Sequence, residues 1–163
     1  MSDVKKIYLD MDGVLCDFHA RFKEIYGEDA LGFRDRKNFT VHWPNFIENK
    51  QFETLDWFPG GQELLEYLKG KNVEVEILSS SGGEQHHEEV KRQKIAWLNS
   101  KGINYKVNIV PGRKHKTPYS TAGSILIDDT EDIIVAFNAA EGIGILHKDV
   151  NITLERLEIL LNT

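Results

Sequence analysis

Five short apolar runs of β character, separated by stretches with helical spacing, most constrain what this chain can fold into. They are Ile7-Tyr8-Leu9, Val73-Glu74-Val75-Glu76-Ile77-Leu78, Val107-Asn108-Ile109-Val110, Ser124-Ile125-Leu126-Ile127 and Gly144-Ile145-Leu146. After the first, Phe18, Phe22 and Ile25 recur at i, i+4 and i+7, the spacing of one helical face. Pro59-Gly60-Gly61 opens a helix carrying Leu64, Leu65 and Leu68, with Gly70 near its end. Residues 84 to 100, with Val90, Ile95, Trp97 and Leu98, predict the longest helix, and residues 131 to 140 another. Strands alternating with helices read as βαβ units. The predicted fold class is therefore α/β, a doubly wound parallel sheet with helices on both faces.

Residues 17 to 58 interrupt that rhythm. Gly27, Gly32, Asn38 and Pro44 break the stretch into short pieces, yet residues 17 to 60 hold ten of the sixteen aromatics. The pattern predicts a core domain of residues 1–16 and 59–163, with a small aromatic-rich insert at 17–58 after strand one. At 163 residues, one compact domain with an insertion is the expected size.

The runs end in chemistry. Asp10 and Asp12 follow the first, Ser79 and Ser80 the second, and Asp128 and Asp129 the fourth, while Arg113-Lys114-His115-Lys116 lies between the third and fourth. Ligands of open parallel sheets bind beyond the carboxyl ends of the strands, so these groups are expected to converge. Carboxylates brought together on one edge repel unless a cation neutralises them. Oxygen-only ligands suit a hard ion, and Mg²⁺ is the expected cofactor because it pairs readily with phosphate.

Each motif alone is weak, but the ordered set is specific. Asp10-Met11-Asp12-Gly13-Val14-Leu15, Ile77-Leu78-Ser79-Ser80, Lys116 and Ile125-Leu126-Ile127-Asp128-Asp129 resemble the haloacid-dehalogenase-like (HAD) hydrolase superfamily. The first run, with Pro59-Gly60 and Lys94-Ile95-Ala96-Trp97-Leu98, is most similar to its 5′(3′)-deoxyribonucleotidase-like branch, including small phage and bacterial members. The resemblance implies a Mg²⁺-dependent phosphomonoester hydrolase acting through an aspartyl-phosphate. Asp10 would be the nucleophile and Asp12 the general acid and base. Ser79, Ser80 and Lys116 would bind the phosphoryl group. Asp10, Asp12 (through its carbonyl) and Asp128 would hold the metal, with Asp129 behind them orienting the ligands. The insert would be a cap that closes over the site and selects substrate.

Several readings stay open at this level. Lys114 competes with Lys116 for the active-site position. Lys94 reads equally as an exposed helix lysine or a substrate contact. The cap aromatics form the insert's own core or stack on a nucleobase, with Trp43, Phe46, Trp57 and Phe58 the substrate-contact candidates. His86-His87 reads as a solvated helix face, His115 as an exposed loop residue, Cys16 as a small packing residue, and His147 as bordering the site.

The expected partner is a small phosphorylated substrate, a nucleotide being favoured. The alternatives are a sugar-phosphate phosphatase, a phosphomutase, and a catalytically silent or phosphorylatable module. A response-regulator module fits poorly, because its phosphoacceptor follows strand three, which here ends in Val110-Pro111-Gly112. With 26 Asp+Glu against 20 Lys+Arg and a net charge of −6, bulk nucleic-acid binding is not expected. One cysteine excludes an internal disulfide, and no run approaches the ~18 apolar residues of a membrane span. No signal-peptide core follows Met1, so the expected location is the cytoplasm.

Overall fold

The computed structural model describes residues 3–27 and 36–162, with the side chains of 36–39 left aside. Gly32, Phe33 and the Phe39 side chain therefore lie outside the described residues. Elements follow in the order β1 (Lys6–Leu9), α1 (Phe18–Tyr26), α2 (Arg36–Glu48), a 3₁₀ turn (Gln51–Thr54), α3 (Gly61–Lys69), β2 (Glu74–Ser80) and α4 (His87–Ser100). Then come β3 (Lys106–Val110), a longer 3₁₀ segment (Arg113–Tyr119), β4 (Ser124–Asp128), α5 (Glu131–Ala139), β5 (Ile143–Leu146) and α6 (Val150–Leu161).

All five strands are parallel, in the order β3-β2-β1-β4-β5, the doubly wound sheet that the alternation predicts. In register, Leu9 lies beside Ile77 and Ile127, so the carboxyl ends of β1, β2 and β4 share one edge. Successive strand residues point to opposite faces. Ile7, Leu9, Val75, Ile77, Ile125 and Ile127 form a core with Leu64 and Leu68 of α3, Val90 and Trp97 of α4, and Leu157 of α6. Tyr8, Leu78, Val110 and Leu126 pack on the other face, against Ile133, Ile134 and Phe137 of α5.

Between β3 and β4 the crossover is only a 3₁₀ segment, so the sheet face beneath carries polar residues that satisfy one another. Glu76 is 2% exposed. Its Oε1 accepts from Asn108 Nδ2 at 3.0 Å, and its Oε2 lies 2.5 Å from Lys6 Nζ. Burial alone would raise the carboxyl's pKa, but the bonds from Lys6 and Asn108 outweigh it and hold the group below its ordinary 4.5. Its contribution to stability is thus complete above pH 4.5 and is lost as pH falls through the lower folded value. Urea unfolding of Glu76→Gln, from about pH 5 to pH 3, is expected to show a shallower loss of stability than the wild type. Equal slopes would assign the acid sensitivity to other groups.

The insert is tied to the core through α4. Gln93, fully buried, donates from Nε2 to the Ile47 carbonyl at 2.7 Å and accepts from the Phe52 amide at 3.3 Å. Trp97 Nε1 donates to the Leu55 carbonyl at 2.7 Å. Phe18, Phe22, Phe46 and Phe52 pack ring against ring above these bonds. The 3₁₀ turn thus packs on α4, and α1 and α2 join it through this ring cluster.

Four local expectations change. Asn38 and Pro44 do not break the chain but lie inside α2, which runs 13 residues from Arg36 to Glu48. Ile25 is 41% exposed, because α1 buries only Phe18 and Phe22. Helix α4 buries Gln93 and Lys94, whereas Ile95 is only half-buried. Helix α6 follows the fifth strand without a strong sequence signal: only Thr153 and Leu157 are buried, and its start is set by Asp149, which accepts from Asn151 N at 2.8 Å.

Candidate active site

Strand alternation decides which side chains meet at the sheet edge. Asp10 continues the Tyr8 face and Asp128 the Leu126 face, so both turn toward the 3₁₀ segment. Lys116 reaches them from that segment. Its Nζ donates to Asp10 Oδ1 at 3.0 Å and to Asp128 Oδ2 at 2.6 Å, and the residue is 3% exposed. Lys114 and His115 are exposed.

Ser79 continues the Ile77 face and turns toward α4, where it meets Lys94. The Lys94 ammonium donates to Ser79 Oγ at 2.7 Å, to Asp12 Oδ2 at 2.8 Å and to the Ser80 carbonyl at 2.9 Å. The residue is 1% exposed, so it is not an exposed helix lysine. All three N–H donors are used. Because Ser79 Oγ accepts from Lys94, its own hydroxyl proton can be directed elsewhere.

Asp12 is placed by a tight loop. The Met11 carbonyl accepts from the amides of Val14, Leu15 and Cys16, and the Cys16 thiol donates to Asp12 Oδ1 at 3.4 Å. Burial, then the neighbouring Asp12, push the Cys16 thiol well above its ordinary pKa, which keeps it protonated and unsuited to nucleophilic attack. Gly13 has φ +83, and a Cβ there would stand 2.1 Å from Asp129 Oδ2. Glycine is required on both counts.

Asp10, Asp128 and Asp129 each offer a carboxylate oxygen within 4.8 Å of the others. Asp129, expected behind the other carboxylates, offers an oxygen to the same cluster. It also has a partner that sequence reasoning missed: His19 Nε2 lies 3.8 Å from Asp129 Oδ2. No sequence signal marks His19, which sits on α1 in the insert.

The electrostatics ask for a cation. Burial, then the adjacent Asp128, push the Asp10 carboxyl well above its ordinary range, and Lys116 only partly offsets them. Burial would lower the Lys116 pKa, but Asp10 and Asp128 raise it above the ordinary lysine value. Burial would likewise raise Asp129, yet its contact with His19 holds it below the usual carboxylate range, while the His19 pKa rises in return. Three clustered carboxylate oxygens fit a hard divalent ion such as Mg²⁺.

The substrate-contact candidates divide. Phe46 is fully buried in the ring cluster and faces no open space. Trp57 packs edge-on against Trp97 and lines a groove with Leu65, Lys101 and Tyr105, beside the far end of α4. Trp43 is half-buried, with its indole so close to Gly82 that a Cβ there would stand 2.8 Å away, and so it overhangs the loop after Ser80. Phe58 is half-buried with its ring 6.0 Å from His147. His147 is buried, bonds Thr153 Oγ1 at 2.7 Å and donates its amide to the Asp128 carbonyl. His87 is not on a solvated face: it is half-buried, and its Nδ1 pairs with Ser81 Oγ at 2.7 Å.

A five-stranded parallel sheet with Asp-x-Asp after its central strand and an Asp pair after the neighbouring one is that of a haloacid-dehalogenase-like hydrolase. The model of the family described as 5′ nucleotidase, deoxy (pyrimidine), cytosolic type C protein matches residues 4–158, and the chain belongs to that family, whose members are phosphatases. Among solved structures the fold is similar to that of a hydrolase from Streptococcus pneumoniae TIGR4, at TM-score 0.57 and 17% identity over 96% of this chain and 99% of that one. It is also similar to a candidate β-phosphoglucomutase from Thermotoga maritima, at TM-score 0.50 and 18% identity over 93% and 91% of the two chains. No curated protein matches the chain. No helix among the described residues is long and apolar enough to cross a membrane.

Proposed function

We propose that the chain hydrolyses a nucleoside monophosphate, with 5′- and 3′-deoxynucleotides as the favoured substrates, through a phosphoryl group carried on Asp10. What supports this reading most is the separation of the two catalytic carboxylates onto different lysines: Asp10 on Lys116 and Asp12 on Lys94. On this reading the carboxylate on Lys116 attacks and the one on Lys94 transfers the proton. A divalent cation held by Asp10, the Asp12 carbonyl, Asp128 and Asp129 would supply charge neutralisation for the phosphoryl oxygens and keep Asp10 ionised.

An Asp10 oxygen attacks phosphorus, and the bond from phosphorus to the ester oxygen breaks as Asp12 gives that oxygen its proton. Asp12 then takes a proton from water, whose oxygen attacks phosphorus and releases Asp10. Lys116 and the Ser79 hydroxyl stabilise the phosphoryl oxygens throughout, with Ser80 at the rim. Lys94 holds Ser79 and Asp12 in place from beneath. The insert acts as the cap, and Trp43 and Phe58 are the aromatics that flank the leaving-group side, where base stacking contributes ~1–3 kcal/mol. A cytoplasmic location is part of the same reading, consistent with the lone buried Cys16.

Phosphate release from a panel of nucleoside monophosphates and sugar phosphates, with and without Mg²⁺, tests this. Preference for deoxynucleotides, dependent on Mg²⁺, is the expected result. Preference for a sugar phosphate would move the chain to the alternative phosphatase reading. Transfer stimulated by a sugar bisphosphate, with little net phosphate release, would make it a mutase.

A further inference from the structure

Asp129 is held at several points that do not belong to the reacting groups. Its carboxylate lies against the α-carbon of Gly13, and Oδ1 accepts from Thr130 Oγ1 at 3.2 Å. Its carbonyl accepts from Lys148 Nζ at 2.8 Å. Oδ2 is left facing the insert, where His19 Nε2 stands 3.8 Å away. Thr130 thus fixes one oxygen from the core and His19 faces the other from α1.

His19 cannot move independently of the insert. The preceding residue, Phe18, is 4% exposed and packs against Phe22, Trp43, Phe46 and Phe52, and the ring of His19 itself lies 5.4 Å from that of Phe18. Asp17, two residues before His19, caps the helix, accepting from Ala20 N at 3.2 Å. The imidazole position is therefore set by how the insert seats on the core.

We propose that His19 is a positioning residue for the carboxylate cluster, and that through it binding of a divalent cation is coupled to seating of the insert. The inference rests on the reading that Asp10, Asp128 and Asp129 hold a cation. A partner that orients a ligating carboxylate lowers the cost of fixing it, so losing that partner weakens metal affinity by about 10–100-fold. Coupling of binding free energies is reciprocal: if the seated insert favours the cation, the cation favours the seated insert by the same factor. The device belongs to this chain's own insert and does not require the insert to touch the cation.

Two readouts on the purified full chain test it, neither of them turnover. Mg²⁺ is titrated by calorimetry into wild type, His19→Ala and His19→Gln, the glutamine amide offering an N–H donor at similar reach. Amide hydrogen exchange across Phe18–Tyr26 is measured with and without Mg²⁺, with Glu131–Ala139 as the internal reference. The expected result is at least about tenfold weaker Mg²⁺ binding in His19→Ala and recovery of most of it in His19→Gln. Mg²⁺ is also expected to slow exchange in α1 of the wild type but not of His19→Ala, with α5 unchanged between them. Wild-type affinity in His19→Ala, a glutamine variant no better than alanine, or α1 exchange that ignores Mg²⁺ in the wild type would each overturn the coupling while leaving the metal site standing. Absence of Mg²⁺ binding to the wild type itself would overturn the metal reading and the coupling with it.

Discussion

Asp10→Asn is expected to cut phosphate release by about 10⁴-fold or more while the protein stays folded. The amide has the same shape as the carboxylate and can still accept from Lys116 through Oδ1, but it cannot form the bond to phosphorus. Asp10 is 5% exposed beside Asp128, so removing its charge relieves repulsion and should not lower thermal stability. Asp12→Asn offers the contrast. General acid–base catalysis is worth about 10²–10⁴, so its loss should be smaller for an aryl phosphate, whose leaving group departs without a proton. With that substrate Asp12→Asn should trap a phosphorylated protein in an acid quench, and Asp10→Asn should trap none. Turnover of Asp10→Asn near the wild-type rate would end the covalent mechanism.

Lys116→Met should have the largest effect on stability. The buried ammonium bonds two buried carboxylates, and removing one partner of such an assembly costs about 3–5 kcal/mol. Part of that cost is returned because Asp10, already raised, takes up a proton. Urea unfolding without Mg²⁺ should therefore show a clear fall in midpoint. Added Mg²⁺ should recover some of it, since a ligand at 100 times its Kd stabilises the native state by about 2.7 kcal/mol. Activity should fall by about 10²–10³ even with saturating Mg²⁺, because a buried stabiliser of the phosphoryl oxygens is gone. Lys114→Ala is the control. It is exposed, so stability should change by no more than about 0.5 kcal/mol and activity should be kept. Equal losses in the two variants would mean that Lys116 has no special place.

The order of strands and helices was legible because it rests on local periodicity. Ile7-Tyr8-Leu9 and Ser124-Ile125-Leu126-Ile127 are short apolar runs, and Leu64, Leu65 and Leu68 share one helical face; such patterns need no tertiary information. Helix α6 escaped because its burial is shallow and its start depends on the Asp149 cap. Phe46 and Trp57 were indistinguishable from Trp43 in the sequence, since an aromatic residue carries no local mark of whether a neighbouring helix or the open site will face it.

The polar groups could be placed at strand ends from residue order alone: Asp10 and Asp12 just after β1, Ser79 in the last two residues of β2, and Asp128 and Asp129 at and just after the end of β4. Which basic group each would meet could not. That depends on strand parity, which turns Asp10 and Asp128 to one face and Ser79 to the other, and on which element lies over each face. The 3₁₀ segment delivers Lys116 rather than Lys114, and the phase of α4 buries Lys94 against Ser79 and Asp12. His19 depends on a still longer link, the seating of α1 against a loop 110 residues further on. Sequence patterns act over a few residues, whereas the pairing of charges at this edge is set by the packing of separate layers, and only the folded chain decides it.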